Sequence, residues 1–134
     1  LEMWLIAVNL RSFVFFAAGC EAVRKVSNDR NADIKVAVHF TQIDDYDGTM
    51  EKCESLKTAG ADYDIFGVSY YPYWHGSFDN MEKVLGDIKS NYGEDTCVME
   101  TAYPYTAEDG DGNGNEQVRI WGEEVKPGLK LLIR

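Results

Sequence analysis

The sequence is short of cysteine, of proline and of positive charge. Its 134 residues hold three cysteines, three prolines and 13 Lys and Arg against 23 Asp and Glu, a formal net charge of −10. Cys20, Cys53 and Cys97 stand singly, too few and too scattered for a disulfide scaffold or a zinc site, and each reads as a buried thiol. The acidic balance excludes nucleic acid and anionic membrane surfaces as partners, because both repel such a chain. No apolar run approaches the ~18 residues of a membrane span. Arg11 followed by Phe13–Gly19 and Cys20 has the outline of a lipoprotein signal, but a helical period runs on through Cys20 to Val26, so the segment reads as a helix. No Ser/Pro-rich linker or shift in composition divides the chain, which is therefore one domain or part of one. What it does have is apolar content (45%), enough for a real core, and an aromatic share of 13% that is high for a plain helical domain.

Hydrophobic spacing gives an alternating order. Phe13, Phe16, Cys20, Val23 and Val26 lie on one helical face, and Ser27 to Asn31 break the pattern with turn formers. Ile34–Phe40 is a short β-branched run with the look of a strand buried on both faces. A helix follows over Asp47–Gly60, with Gly60 as its stop, then a strand over Tyr63–Tyr70. An aromatic loop to Ser77 leads into a helix over Asp79–Tyr92, with Met81, Val84, Leu85 and Ile88 on one face. Gly93 stops it, and Thr96–Glu100 forms a third strand. Units about 30 residues long in this order predict an α/β fold, a parallel sheet covered by helices. Residues 1–12 and those after Asn115 fall in no predicted element.

In parallel βα architectures ligands meet the loops at the carboxyl ends of strands. Here those ends carry His39-Phe40, then Ser69 to Gly76 (SYYPYWHG), then Glu100 to Tyr105 (ETAYPY). A carboxylate, two histidines and a shelf of aromatic rings thus converge on one rim. Glu100 closes the apolar run Cys97-Val98-Met99, surroundings that disfavour its charge, and so reads either as a catalytic group or as a structural one hydrogen-bonded at the strand end. The aromatics favour the first, since sugar rings stack their C–H faces on Trp and Tyr. His39 and His75 lack the spacing of a metal motif and are expected to hydrogen-bond a substrate or a carboxylate. Asp109 to Asn115 (DGDGNGN) alternates oxygen-bearing side chains with glycine, a pattern suited to Ca²⁺. It is not an EF-hand, because Ile120 stands where the bidentate glutamate belongs.

Four runs, AGCEAVRKV (residues 18–26), KVAVHF (35–40), YDIFGVSYYPYWHGSFDNMEKVL (63–85) and VMETAYPYTAEDGDGNGN (98–115), resemble glycoside hydrolase family 53. Its members are endo-β-1,4-galactanases acting on arabinogalactan. The resemblance, over about residues 13–115, implies a fragment of a (β/α)₈ TIM barrel with three of its parallel strands, and a retaining mechanism with two glutamates. It puts Glu100 at the nucleophile position on the seventh strand and His39 at the end of the fifth. Tyr70, Trp74 and His75 fall on the loop after the sixth, and together with Tyr103 they would bind the sugar. It also implies a structural Ca²⁺ held by Asp109, Asp111, Asn113 and Asn115, with Asn113 standing where a histidine is usual. The implied partner is β-1,4-galactan or arabinogalactan polysaccharide, and the parent enzyme is expected to be extracellular and monomeric.

Two departures accompany the resemblance. The family's acid/base glutamate follows an asparagine on the fourth strand, and no Asn-Glu pair on a strand end precedes the first helix here; Glu2 sits in no such context. Residues 116–134 do not align. A full barrel needs about 250 residues, so residues 1–134 are expected to be a partial glycosidase barrel lacking that acid. The alternative is a non-catalytic carbohydrate- or calcium-binding remnant with Tyr71, Tyr73, Trp74 and Tyr103 as its platform.

Overall fold

The computed structural model describes residues 2–41, 43–72 and 75–102. Helix α1 (Glu2–Asp29) leads into strand β1 (Ala37–Phe40), followed by α2 (Tyr46–Thr58), β2 (Ile65–Ser69), α3 (Phe78–Tyr92) and β3 (Asp95–Glu100). The three strands form one parallel sheet in the order β1-β2-β3. Helices and strands alternate in the predicted order, and α1 reaches back through residues that the sequence pattern left unassigned.

Local chemistry sets the element ends. The Asp45 side chain accepts a bond from the Gly48 N–H (3.0 Å) and caps α2, with Asp47 favourably placed in the first turn. At its other end the Ala61 N–H reaches the Leu56 carbonyl and the Gly60 N–H the Lys57 carbonyl, both at 3.0 Å. This paired closure needs a left-handed residue, and Gly60 supplies it at φ 71°. Ser77 caps α3 through the Asn80 N–H (3.2 Å), and Gly93 ends it. Strand β1 starts at Ala37, later than the run from Ile34 suggests. The cause is Asp64, whose carboxylate takes the Val36 N–H at 2.7 Å and so withdraws that donor from the ladder. Asp64 also pairs with Arg24 of α1 (3.0 Å), which bonds Asp62 as well and ties the first helix to the segment entering β2.

The core lies between the sheet and its helices. Phe13 and Cys20 of α1, Cys53 and Leu56 of α2, and Met81, Val84 and Ile88 of α3 close over Val38, Phe66 and Val68. Rings of Phe16, Phe40 and Phe66 follow one another at centroid separations of 5.4 and 5.3 Å, carrying the apolar contact from α1 onto the middle strand. Two expectations are corrected here. The β1 run was read as buried on both faces, yet Ala37 and His39 are exposed while Val38 is buried. Cys97 is exposed rather than buried, unlike Cys20 and Cys53. Both have one reason: helices cover one face of the sheet, and on the outer strands the opposite face is open. No described helix is long and apolar enough to cross a membrane.

Candidate active site

The open face carries its polar groups at the carboxyl ends of the strands. Pairing runs His39↔Gly67 between β1 and β2, and Gly67↔Cys97 and Val68↔Val98 between β2 and β3. The register then shifts, so that Ser69 faces Glu100 and Met99 is the extra residue of a bulge. The shift decides where the carboxylate goes. In an unbroken strand Glu100 would share the helix-covered face of Val98, and one inserted residue turns it onto the face of His39 and Ser69. Gly67 leaves room for the side chain of the extra residue: a Cβ there would stand 2.3 Å from the Met99 sulfur.

Glu100 is held at both oxygens. The Tyr71 hydroxyl donates to Oε1, and the Ser69 hydroxyl donates to Oε2 at 3.3 Å. His39 Nε2 lies 2.9 Å from the same Ser69 oxygen. The Tyr70 N–H donates to the Glu100 carbonyl at 2.8 Å, extending the sheet ladder by one bond and fixing the backbone from which the carboxylate projects. His75 packs edge-on against Tyr71, centroids 5.6 Å apart. Its Nδ1 lies 3.0 Å from the Ser69 carbonyl and 3.2 Å from the Tyr71 N–H, so the protonation of that nitrogen selects which of the two it bonds.

These contacts reverse the electrostatic expectation for Glu100. Its carboxyl is held below the usual carboxylate range, foremost by the Tyr71 hydroxyl, against some desolvation, with the Ser69 hydroxyl and the charges of His39 and His75 adding to the effect. The Tyr71 phenol is correspondingly pushed up, chiefly by its bond to Glu100. Apolar neighbours in the chain suggested a disfavoured charge. In space those neighbours do not enclose Glu100, which is exposed on the open face. An ionised, doubly hydrogen-bonded carboxylate is suited to act as a nucleophile and unsuited to donate a proton.

The structure thus brings Glu100, His39 and His75 to one rim. Tyr70 does not join them. It is 2% exposed, its hydroxyl donates to the Gly76 carbonyl at 3.1 Å and its ring meets Phe78 edge-on. The tyrosine on the carboxylate is its neighbour Tyr71, named before only as part of a stacking platform. Ser69 was missed as a site residue; the available signal was a hydroxyl ending the apolar strand IFGVS, which a buried position obliges to find a partner. Tyr73, Trp74, Tyr103, Asp109, Asp111, Asn113 and Asn115 lie outside the described residues. Among the described residues no three His, Cys, Asp or Glu side chains gather as a metal-binding group.

Comparison with known proteins gives a consistent result. Residues 8–126 match the family model described as glycosyl hydrolase family 53, so the match runs beyond residues 13–115 at both ends and takes in residues 116–126, which the resemblance left unaligned. An endo-beta-1,4-galactanase of Bacillus subtilis (strain 168) is 44% identical over 100 residues, which cover 75% of this chain and 22% of that protein. An arabinogalactan endo-beta-1,4-galactanase of Cellvibrio japonicus (strain Ueda107) is 30% identical over 107 residues, 78% of this chain and 28% of its own length. Among solved structures, the Ignisphaera aggregans GH53 catalytic domain superposes with a TM-score of 0.59 at 29% identity, covering 77% of this chain and 27% of that one. The chain spans about a quarter of the length of these relatives, and its three parallel strands with their helices are a fragment of a (β/α)₈ barrel. The chain belongs to glycosyl hydrolase family 53.

Proposed function

We propose that the whole protein is an extracellular, monomeric, endo-acting hydrolase that cleaves β-1,4-galactosidic bonds of galactan and arabinogalactan with retention, and that Glu100 is its nucleophile. The observation that carries this reading is a carboxylate at the end of a barrel strand, turned onto the open face and kept ionised by hydroxyls on both of its oxygens. The names of the relatives supply the substrate class.

In the first step a Glu100 oxygen attacks the anomeric carbon. The glycosidic C–O bond breaks, and the leaving oxygen takes a proton from a second carboxylic acid about 5–5.5 Å from the first. That second group then deprotonates a water, which attacks the anomeric carbon and releases Glu100. The family resemblance gives the acid/base role to a glutamate that follows an asparagine at a strand end; β1, β2 and β3 carry no such pair, so the role falls to another part of the whole protein. Tyr71 and Ser69 hold the nucleophile ionised and oriented, His39 and His75 stand on the same rim, and the family resemblance adds Trp74 and Tyr103 to the sugar-binding set. The donor set Asp109, Asp111, Asn113 and Asn115 offers two carboxylates and two amide oxygens, hard ligands that fit Ca²⁺.

An activated 2-deoxy-2-fluoro-β-galactobioside tests the assignment, because its leaving group departs without protonation and the fluorine slows release of the adduct. With the whole enzyme, peptide mass spectrometry should find the sugar on Glu100, and Glu100→Gln should abolish both labelling and galactan cleavage. A label on another carboxylate, or undiminished cleavage by the variant, overturns it.

A further inference from the structure

We infer that Ser69 is a positioning residue for Glu100: it couples the His39 ring to one carboxylate oxygen and sets the rotation of the carboxylate plane. The inference rests on the proposed role of Glu100 as nucleophile. Ser69 is 1% exposed, one of the few buried polar side chains among the described residues, and its Oγ stands between His39 Nε2 (2.9 Å) and Glu100 Oε2 (3.3 Å).

Donor arithmetic gives the arrangement a direction. A serine hydroxyl has one proton, and an ionised carboxylate can only accept. The Ser69 proton therefore goes to Glu100, and the short contact to His39 is a bond that Ser69 accepts. His39 Nε2 carries the hydrogen, and the chain runs from His39 Nε2–H to Ser69 Oγ–H to Glu100 Oε2. Each bond polarises the next.

The geometry separates the two donors on Glu100. Tyr71 approaches Oε1 from the loop after β2, and Ser69 approaches Oε2 from within the strand. One donor alone leaves a carboxylate free to swing about its last bond, whereas one on each oxygen fixes its plane. Ser69 is the more rigid support, because it belongs to the middle strand of the sheet and is paired directly with Glu100 across the bulge. At 3.3 Å its bond is longer than the usual hydroxyl–carboxylate contact, and catalytic hydrogen bonds of this kind commonly tighten when substrate binds.

The test compares Ser69→Ala and Ser69→Thr in the whole enzyme, with Glu100 followed independently by NMR titration of its side-chain carboxyl. The titratable groups acting on Glu100 among the described residues are Tyr71, His39 and His75, so the carboxyl resonance is needed to separate its ionisation from theirs. Ser69→Ala should raise the Glu100 titration midpoint and move the acid limb of kcat/KM the same way. It should also lower kcat about tenfold or more, the size of one charge-assisted hydrogen bond, with KM little changed. Ser69→Thr keeps the hydroxyl and should restore both the midpoint and kcat. An alanine variant with an unmoved titration, or a threonine variant as impaired as alanine, overturns the inference. If Glu100→Gln keeps its activity, the nucleophile reading fails, and the NMR midpoint still decides whether Ser69 acts on Glu100.

Discussion

Tyr70 and Tyr71 are adjacent, and the structure gives them opposite duties that one pair of variants separates. Tyr70 is buried, and its hydroxyl donates to the Gly76 carbonyl. Tyr70→Phe keeps the ring and removes that donor, leaving a buried carbonyl short of a partner at a cost of about 1–3 kcal/mol. With a urea m value of roughly 2 kcal/mol per molar, the midpoint of unfolding should fall by about 1 M. The ionisation of Glu100 should not move, since Tyr70 makes only a backbone bond to it. Tyr71→Phe should do the reverse. It removes the largest influence holding the Glu100 carboxyl low, so the titration midpoint rises towards the ordinary carboxylate value. A depressed carboxyl pKa contributes stability above the unfolded-state value, and that contribution is lost as pH falls through the folded value. Tyr71→Phe therefore removes a small stabilisation at neutral pH, small because Glu100 is exposed and its interactions are screened. Urea unfolding by circular dichroism at neutral pH and carboxyl NMR from pH 2 to 7 read the two effects. A Tyr70→Phe protein that titrates like Tyr71→Phe, or a Tyr71→Phe protein that unfolds like Tyr70→Phe, would refute this division of labour.

Two further predictions concern the fold and the proposed calcium ligands. Leu56 of α2 is 0% exposed in the core, so Leu56→Ala should cost about 2–5 kcal/mol while Leu56→Met, which conserves volume, should cost under about 1.5 kcal/mol. Equal urea midpoints for the two variants would mean that the helix-to-sheet interface is not the packed layer described. Chelation of Ca²⁺ should lower the melting temperature of the whole enzyme, and Asp109→Ala should remove most of that difference between chelated and Ca²⁺-loaded protein. Melting curves unchanged by chelation would overturn the calcium assignment.

Much of the scaffold could be read from the chain because its signals are local. The apolar faces of α2 and α3 recur at helical spacing, Asp45 and Ser77 stand at their starts, and glycines stand just past their ends. The exposed sheet face could not be read so, because the same apolar runs serve whether both faces of a strand are covered or only one. Val38 and Cys97 lie in similar stretches of sequence, and what separates them is the face on which each falls.

The site turns on the parity of two strands, and parity explains both what was legible there and what was not. Along β2 the alternation is regular: Phe66, Val68 and Tyr70 are buried towards the helices, while Gly67, Ser69 and Tyr71 share the face that bears the carboxylate. Carrying that period two residues past the strand would have chosen Tyr71 over Tyr70 and added Ser69. Along β3 the same rule misleads, because Glu100 has the parity of Val98 and regular alternation sends it to the helices. The extra residue at Met99 reverses that, and a glycine on the neighbouring strand accompanies it, with the Met99 side chain lying where a Cβ at Gly67 would stand. The carboxylate is therefore placed by a defect in the pairing, not by the pattern of its own strand. A period-two reading, however careful, finds the groups that hold Glu100 more readily than it finds the direction in which Glu100 points.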